Sequence, residues 1–103
     1  MVTTFPISFE LFHSEDGGVL PATRLPSGTP SIIMTFGPED DAVSFGGRVF
    51  WDDMETAGAG DSGTARVAPL APEAIAGYAI PGAEFHFWYG RVIGTGRVLE
   101  DAD

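Results

Sequence analysis

Glycine and proline interrupt this sequence so often that no long regular element fits between them. There are 14 glycines and 8 prolines among 103 residues, and between them lie short runs rich in β-branched and aromatic residues. Glycine adopts turn conformations at little cost, and proline cannot donate a hydrogen bond within a sheet, so both residues tend to end strands. No window shows a helical period of apolar residues. The close spacing of short runs and turns therefore predicts an all-β barrel or sandwich.

Three runs alternate apolar and other residues, which is the pattern of a strand with one buried face. They are FPISFELFH, SIIMTFG and AEFHFWY. In the last run, His86 and Trp88 are predicted to face outward. The alternation predicts that the following side chains point into the core: Phe5, Ile7, Phe9, Leu11, Ile32, Met34, Phe36, Phe85 and Phe87.

The segments between these runs are less regular. Gly46-Gly47 separates the short runs AVSF and RVFW, which indicates a tight turn or a bulge. DDMETAGAGDSG is the most polar and glycine-rich segment and is predicted to be the longest loop. TARVAPLA is predicted to be a strand interrupted near Pro69, and VLPATRLP a broken edge segment.

Two further segments carry turn signals. Gly17-Gly18 in SEDGG is predicted to form a turn, because glycine reaches positive φ without strain. PEAIAGYAIPG has two interpretations. It is either one helical turn after Pro72 or an irregular crossing loop with Ile75, Tyr78 and Ile80 turned inward.

Composition limits the classes of protein that this chain can be. It contains no cysteine, which excludes disulfides and thiolate metal sites. We find no basic leader with an apolar stretch behind it, and no apolar run of membrane-spanning length, so we expect a soluble, cytoplasmic protein built as one domain over residues 1–103. Fifteen acidic residues face five arginines and no lysine, for a net charge of −10. This charge disfavours nucleic acid as a partner and favours a basic one, although an acidic surface without lysine is also explained by genome composition or a salty cytoplasm.

The stretch EFHFWYGRVIGTGRVLE has the densest set of candidate binding residues. It is predicted to be a β-hairpin that turns around Tyr89-Gly90-Arg91. A bulge near Gly94 or Gly96 would let both Ile93 and Val98 point inward. Gly94-Thr95-Gly96 resembles a phosphate loop only superficially, because the residues after it predict a strand and not the helix that such a loop requires.

The exposed part of this hairpin is the predicted interaction surface. Trp, Tyr and Arg are the residues that dominate protein–protein interfaces. Core or cation–π packing is one explanation for these side chains, and stacking of single-stranded bases is another. The predicted interaction residues are Trp88, Tyr89, Gly90, Arg91 and Arg97.

Catalytic and metal-binding patterns are weak in this sequence. Asp52, Asp53, Glu55 and Asp61 supply oxygen ligands that suit Ca²⁺ or Mg²⁺, but a solvated acidic loop explains them equally. His13 and His86 are the only histidines, too few for a zinc site without cysteine. No Gly-x-Ser-x-Gly motif supports a Ser-His-Asp triad. We therefore predict no enzyme activity, no cofactor and no catalytic residue.

The closing hairpin resembles that of the C-terminal, third domain of elongation factor Tu. The pattern shared with that family is an apolar strand, a glycine-arginine turn, and then Gly-x-Gly-x-Val within the second strand. The positions that match are Phe85, Phe87, Gly90, Arg91, Ile93, Gly94, Thr95, Gly96 and Val98. FELFHSEDGGVLP, SGTPSIIM, GDSG and Pro72 are similar to other parts of the domain in the same order, so the resemblance spans most of the chain.

This resemblance implies a closed antiparallel β-barrel of about six strands, of the translation-factor C-terminal type, standing alone without a GTPase domain. In the translation factors this domain grips aminoacyl-tRNA, packs on the GTPase domain and meets the exchange factor, and it has no catalytic residues. Arginines of the family's first two turns are replaced here, in Gly17-Gly18-Val19 and Gly28-Thr29-Pro30, and only Gly90-Arg91 is kept.

We accordingly predict a non-catalytic interaction module whose partner is another protein of unknown identity. One version is mimicry, in which the module occupies a surface that the third domain of elongation factor Tu uses. The alternative is a tRNA-binding, translation-associated domain, and a small metal-dependent enzyme is the third possibility.

Overall fold

We describe a computed structural model that covers residues 4–13, 24–37 and 42–100. These residues form eight strands and one helical turn. The elements, in chain order, are β1 (Phe5–Leu11), β2 (Arg24–Pro26), β3 (Thr29–Phe36), β4 (Val43–Trp51), β5 (Thr56–Gly58), β6 (Ser62–Pro69), α1 (Pro72–Ile75), β7 (Glu84–Trp88) and β8 (Val92–Val98). The predicted turn at Gly17-Gly18 and part of the predicted edge segment before β2 lie outside the described residues.

Six of the strands close into an antiparallel barrel in the order β1-β6-β4-β3-β7-β8. The first strand closes it, since Ile7 of β1 pairs with Ala65 of β6 on one side and with Val98 of β8 on the other. Closure leaves no free sheet edge in the barrel, so its backbone groups are paired around the whole ring. The predicted closed barrel of six antiparallel strands is confirmed.

The side chains that alternation assigned to the core are buried in the barrel, with one exception. Phe5 is the one exception, because it is half-buried and packs against the edge of the core. Phe85 and Phe87 meet edge to face, with ring centroids 5.0 Å apart, which is a favourable aromatic geometry. The core residues that the sequence predicted and the structure buries are Ile7, Phe9, Leu11, Ile32, Met34, Phe36, Phe85 and Phe87.

A two-stranded sheet, β2 with β5, packs against the barrel through Leu25 and Ala57. Trp51, at the end of β4, holds this sheet by donating from its indole Nε1 to the Leu25 carbonyl oxygen over 2.8 Å. The segment predicted to be the longest loop therefore contains a strand and the start of β6. Sequence reasoning missed β5 because three residues are too few to show a period, and their pairing depends on β2, which is distant in the chain.

The prediction for Gly46-Gly47 was wrong. β4 runs without interruption from Val43 to Trp51, and both glycines pair with neighbouring strands. The irregularity lies instead on the partner strand, where the register shifts between Thr29 and Ile32. Glycine is needed at 47 for space, since a methyl group there would lie 3.0 Å from the Ala68 carbonyl oxygen.

The chain between β6 and β7 combines both predicted interpretations. β6 ends at Pro69 as predicted, and α1 begins at Pro72, where proline is tolerated because the first helical N–H has no partner within the helix. Ile75 is buried, but Tyr78 and Ile80 are exposed, so the prediction that they turn inward was wrong. Ile75 anchors the turn in the core, and Ala79 packs against it. The Tyr78 ring lies against the outer edge of the barrel, with its centroid 5.4 Å from that of Phe45.

No helix among the described residues has the length and apolar character required to cross a bilayer.

Candidate functional site: the β7–β8 hairpin

The β7–β8 hairpin forms as the sequence predicted. Glu84 pairs with Arg97 and Trp88 with Val92, and the turn is closed by a hydrogen bond from the Tyr89 N–H to the Arg91 carbonyl oxygen of 2.8 Å. Gly90 takes φ of 78° at the apex. Residues other than glycine rarely adopt this left-handed conformation, so a glycine at 90 shapes the turn.

A bulge lies near Gly94, as predicted. The register shifts between Phe87 and Trp88, so that Ile93 is an extra residue on β8 between Val92 and Gly94. This change of parity buries both Ile93 and Val98. It also turns Val92 to the outside, which simple alternation along β8 does not reveal.

Gly94 and Gly96 lie within β8 and face the barrel interior, which confirms the prediction of a strand here and not of a phosphate loop followed by a helix. A methyl group at Gly96 would overlap the Phe85 ring, 2.7 Å from Cε1 and closer still to Cζ. A methyl group at Gly94 would collide with the backbone of β1, at the Glu10 carbonyl oxygen and the Leu11 Cα. The Gly-Thr-Gly pattern thus makes room for a core aromatic ring and for close approach of two strands.

The tip of the hairpin exposes large apolar side chains. Trp88 is 42% exposed, Tyr89 39% and Val92 44%, and Arg91 beside them is exposed as well. We call Trp88, Tyr89, Arg91 and Val92 the tip surface. Trp88 is therefore not a core residue, and the prediction that it faces outward is confirmed.

An apolar row continues from the tip surface around the barrel. Trp88 pairs with Val92 on one side and with Ile33 of β3 on the other, and Ile33 pairs with Gly46 of β4. Side chains of directly paired residues stand on the same face of a sheet. Leu70, the most exposed of the large apolar residues described, lies next to Gly46, to whose carbonyl oxygen its N–H donates over 3.0 Å. Sequence reasoning missed this row because its members come from four separate segments.

A polar row lies beside the apolar one on the same outer face. Glu10 pairs with Thr95, His86 with Thr95, and Thr35 with His86, so these four side chains cross β1, β8, β7 and β3 in register. His86 and Trp88 are two residues apart on β7, which places the two rows about 7 Å from each other. His86 faces outward, as predicted.

Two adjoining surface cavities follow these rows. One, of about 490 Å³, is lined by Phe12, Trp88 and Val92 together with smaller residues, and we call it the apolar groove. The other, of about 520 Å³, is lined by Glu10, Glu84 and Arg97 among others, and we call it the polar groove. The two share Thr35, Gly37 and His86, so they form one continuous depression.

Arg97 does not belong to the tip surface. It lies near the opposite end of β8, about 20 Å along the chain from Arg91, and its guanidinium forms an ion pair with Glu84 over 3.4 Å. Arg91 forms no ion pair or side-chain hydrogen bond within the described part of the chain. The five predicted interaction residues thus divide into four at the tip and one in the polar groove.

The acidic candidates for a metal site do not converge. Asp61 Oδ2 accepts from the Gly58 N–H over 2.8 Å and lies 3.2 Å from the Arg24 guanidinium, so it caps a turn. Asp52, Asp53 and Glu55 are exposed. Across residues 4–13, 24–37 and 42–100, no three histidine, aspartate or glutamate side chains come close enough to hold an ion. His13, which follows β1, packs its ring against Gly60.

The arginines are dispersed over the barrel. Arg24 pairs with Asp61, Arg97 with Glu84, and Arg48 donates to the Gly28 carbonyl oxygen. Arg66 donates to the Thr4 hydroxyl. A nucleic-acid surface needs several cations along one groove, and these side chains form no such stripe.

Neither protein-family models nor curated proteins match this chain. The hairpin tip and the adjoining grooves are therefore interpreted from their own geometry.

Proposed function

We propose that this protein is a non-catalytic interaction module that binds another protein through the tip surface. The observation that carries the proposal is the exposure of Trp88, Tyr89 and Val92 side by side at a rigid β-hairpin. Tryptophan and tyrosine contribute large contact area with few rotatable bonds, and they are enriched among the residues that dominate binding energy.

The surroundings of these side chains support the proposal. Trp88 stands on a strand of a closed barrel and is flanked by paired residues on both sides, so its backbone is held before any partner arrives. Preorganised aromatic anchors lose less entropy on binding than anchors on mobile loops. The apolar row extends the contact area from the tip toward Leu70.

The resemblance to the third domain of elongation factor Tu gives the proposal its finer form. That domain works by contact with other macromolecules, and the Gly90-Arg91 turn kept here lies within the tip surface. We propose that the module mimics that domain on a protein partner. Contact with tRNA is disfavoured by the net charge of −10 and by the dispersed arginines.

The test compares Trp88→Ser with a matched control. Phe50 is an outward-facing aromatic residue of β4 with 41% exposure, almost equal to the 42% of Trp88, and it lies away from the hairpin. Tagged wild type, Trp88→Ser and Phe50→Ser are used in pull-downs from the native lysate, after matched melting curves show that all three are folded. We expect at least one protein to be retained by the wild type and the Phe50 variant and lost by the Trp88 variant. The proposal is wrong if all three tagged proteins retain the same partners in equal amounts, or if the wild type retains no partner.

A further inference from the structure

We infer that the partner segment is basic and apolar, with a lysine or arginine whose charged head reaches the polar groove while its neighbours occupy the apolar groove. This inference rests on the proposed function and adds the chemistry of the partner. It follows from the way in which the two grooves join, and from the charges that line them.

The apolar half of the depression is suited to aliphatic or aromatic side chains. Phe12 is held beside β8 by a hydrogen bond from its N–H to the Ile93 carbonyl oxygen of 2.8 Å, and it lines the apolar groove with Trp88 and Val92. Trp88 lies on β7, Val92 on β8, and Phe12 directly after the end of β1. A partner side chain lying between them removes apolar area from water on both sides of the contact.

The polar half has an uncompensated negative charge. Glu84 is paired with Arg97, but the carboxylate of Glu10 makes no ion pair or hydrogen bond with any described residue. Glu10 lies on β1, and Phe12 directly follows the last residue of that strand, Leu11, so the two are separated by about 7 Å along an extended chain. A lysine or arginine side chain matches this spacing, since its apolar stem covers hydrophobic surface while its head reaches a carboxylate.

The charge of the whole chain favours the same partner. A net charge of −10 attracts basic segments at long range and raises their association rate. The same charge opposes a second copy of this chain as the occupant, because two such molecules repel each other. Trp88, which lines the apolar groove and is 42% exposed, is also an aromatic residue of the type that attracts cations.

The experiment is a selection of random 12-residue peptides displayed on phage against the immobilised wild-type protein. We expect the enriched peptides to contain lysine or arginine within one or two positions of an aromatic or aliphatic residue. The lead peptide is then synthesised, and its dissociation constant is measured by titration for each variant. Enrichment of acidic or uncharged peptides, or of no peptide, would overturn the inference.

The variants separate the roles of charge and of apolar contact. We expect Glu10→Gln to weaken the lead peptide roughly three- to five-fold at low salt, the range of an exposed ion pair, and the loss to vanish at high salt. Glu73→Gln removes an exposed carboxylate on α1 and serves as the control, with no change expected. Replacing the peptide's basic residue by glutamine should make Glu10→Gln neutral. If Glu10→Gln and Glu73→Gln behave alike, the inference is wrong.

The outcomes distinguish this inference from the proposed function. Peptides that require Trp88 but show no preference for basic residues leave the docking surface standing and overturn the basic partner. Peptides that bind the Trp88→Ser variant with the same affinity as the wild type would overturn both the proposed docking surface and the basic partner. Self-association in sedimentation that rises with concentration and is lost in Trp88→Ser would identify a second copy as the occupant, which also contradicts the inference.

Discussion

Replacing Gly96 with alanine should destabilise the barrel because it adds a methyl group where the Phe85 ring already lies. The added carbon would be 2.7 Å from Phe85 Cε1 and 3.1 Å from Cε2. Non-bonded carbons are most stable about 3.5–4.0 Å apart, so the ring or the strand must move by roughly 1 Å. Overpacking of this kind costs about 1–3 kcal/mol of unfolding free energy. In a domain of this size, we expect the melting temperature to fall by roughly 5–15 °C.

Whether the Phe85 ring causes the loss of stability in Gly96→Ala is tested by removing the ring atoms that would collide with the added methyl group. Phe85→Leu lacks the Cε and Cζ atoms and by itself should cost about 1–2 kcal/mol through lost burial. If the clash is the reason for the Gly96→Ala defect, the double variant should be no less stable than Phe85→Leu alone. The coupling free energy between the two positions should then equal the cost of Gly96→Ala, about 1–3 kcal/mol, in the stabilising direction.

Gly94→Ala provides a control at the other glycine of the same strand. There the added methyl group would meet the backbone of β1, including the Leu11 Cα at 2.9 Å, and backbone atoms cannot rotate away. Phe85→Leu should therefore leave the Gly94→Ala defect unchanged. Comparison of the two substitutions therefore distinguishes a clash with a side chain, at Gly96, from a clash with the backbone of a neighbouring strand, at Gly94.

The measurement is urea unfolding followed by tryptophan fluorescence, with the free energy obtained by linear extrapolation. Wild type, the three single variants and the two double variants are compared under one set of conditions. Gly96→Ala with wild-type stability would refute the role assigned to the ring. So would a Gly96→Ala defect that simply adds to that of Phe85→Leu.

Four further outcomes are expected. Trp51→Phe removes the buried hydrogen bond from the indole to the Leu25 carbonyl oxygen, so it should lose about 1–3 kcal/mol in the same urea assay; an unchanged midpoint would contradict this. Gly90→Ala should cost about 1–2 kcal/mol because of its positive φ, whereas Gly77→Ala, which also adds a methyl group to open space, should be neutral or slightly stabilising. A gel-shift assay with tRNA at low salt should show no complex at tens of micromolar protein, and a shifted band would revive the translation-associated alternative. Millimolar Ca²⁺ or Mg²⁺ should leave the melting temperature unchanged, because a bound ion would raise it by mass action.

Parts of the site were readable from the sequence because they depend on neighbours in the chain. Alternation in β7 separates the inward Phe85 and Phe87 from the outward His86 and Trp88. The Gly90 turn follows from a single residue that tolerates positive φ. Both are local consequences of backbone geometry, so no knowledge of the rest of the fold was required.

Other parts were hidden because they depend on pairing between distant segments. Gly46-Gly47 has the appearance of a turn, but the strands on either side supply partners that keep β4 straight. Tyr78 and Ile80 are large apolar or aromatic residues typical of a core, yet in this segment Ile75 is the large side chain that is buried. The local preference of a residue for a turn or for the core is overridden where tertiary contacts pair the backbone better, or where the core has no room for another side chain.

The strand faces, the closing hairpin and the all-β class follow from the order of the side chains, because a strand has a two-residue period. Which residues of distant strands are neighbours depends on how the strands pair in the folded barrel. Pairing within the barrel brings Val92, Trp88 and Ile33 into one row, and pairs Glu10 with Thr95 in the polar row beside it. The bulge at Ile93 turns Val92 outward, and the Phe85 ring explains Gly96. These relations come from register between strands, and register is set by the packing of the whole core.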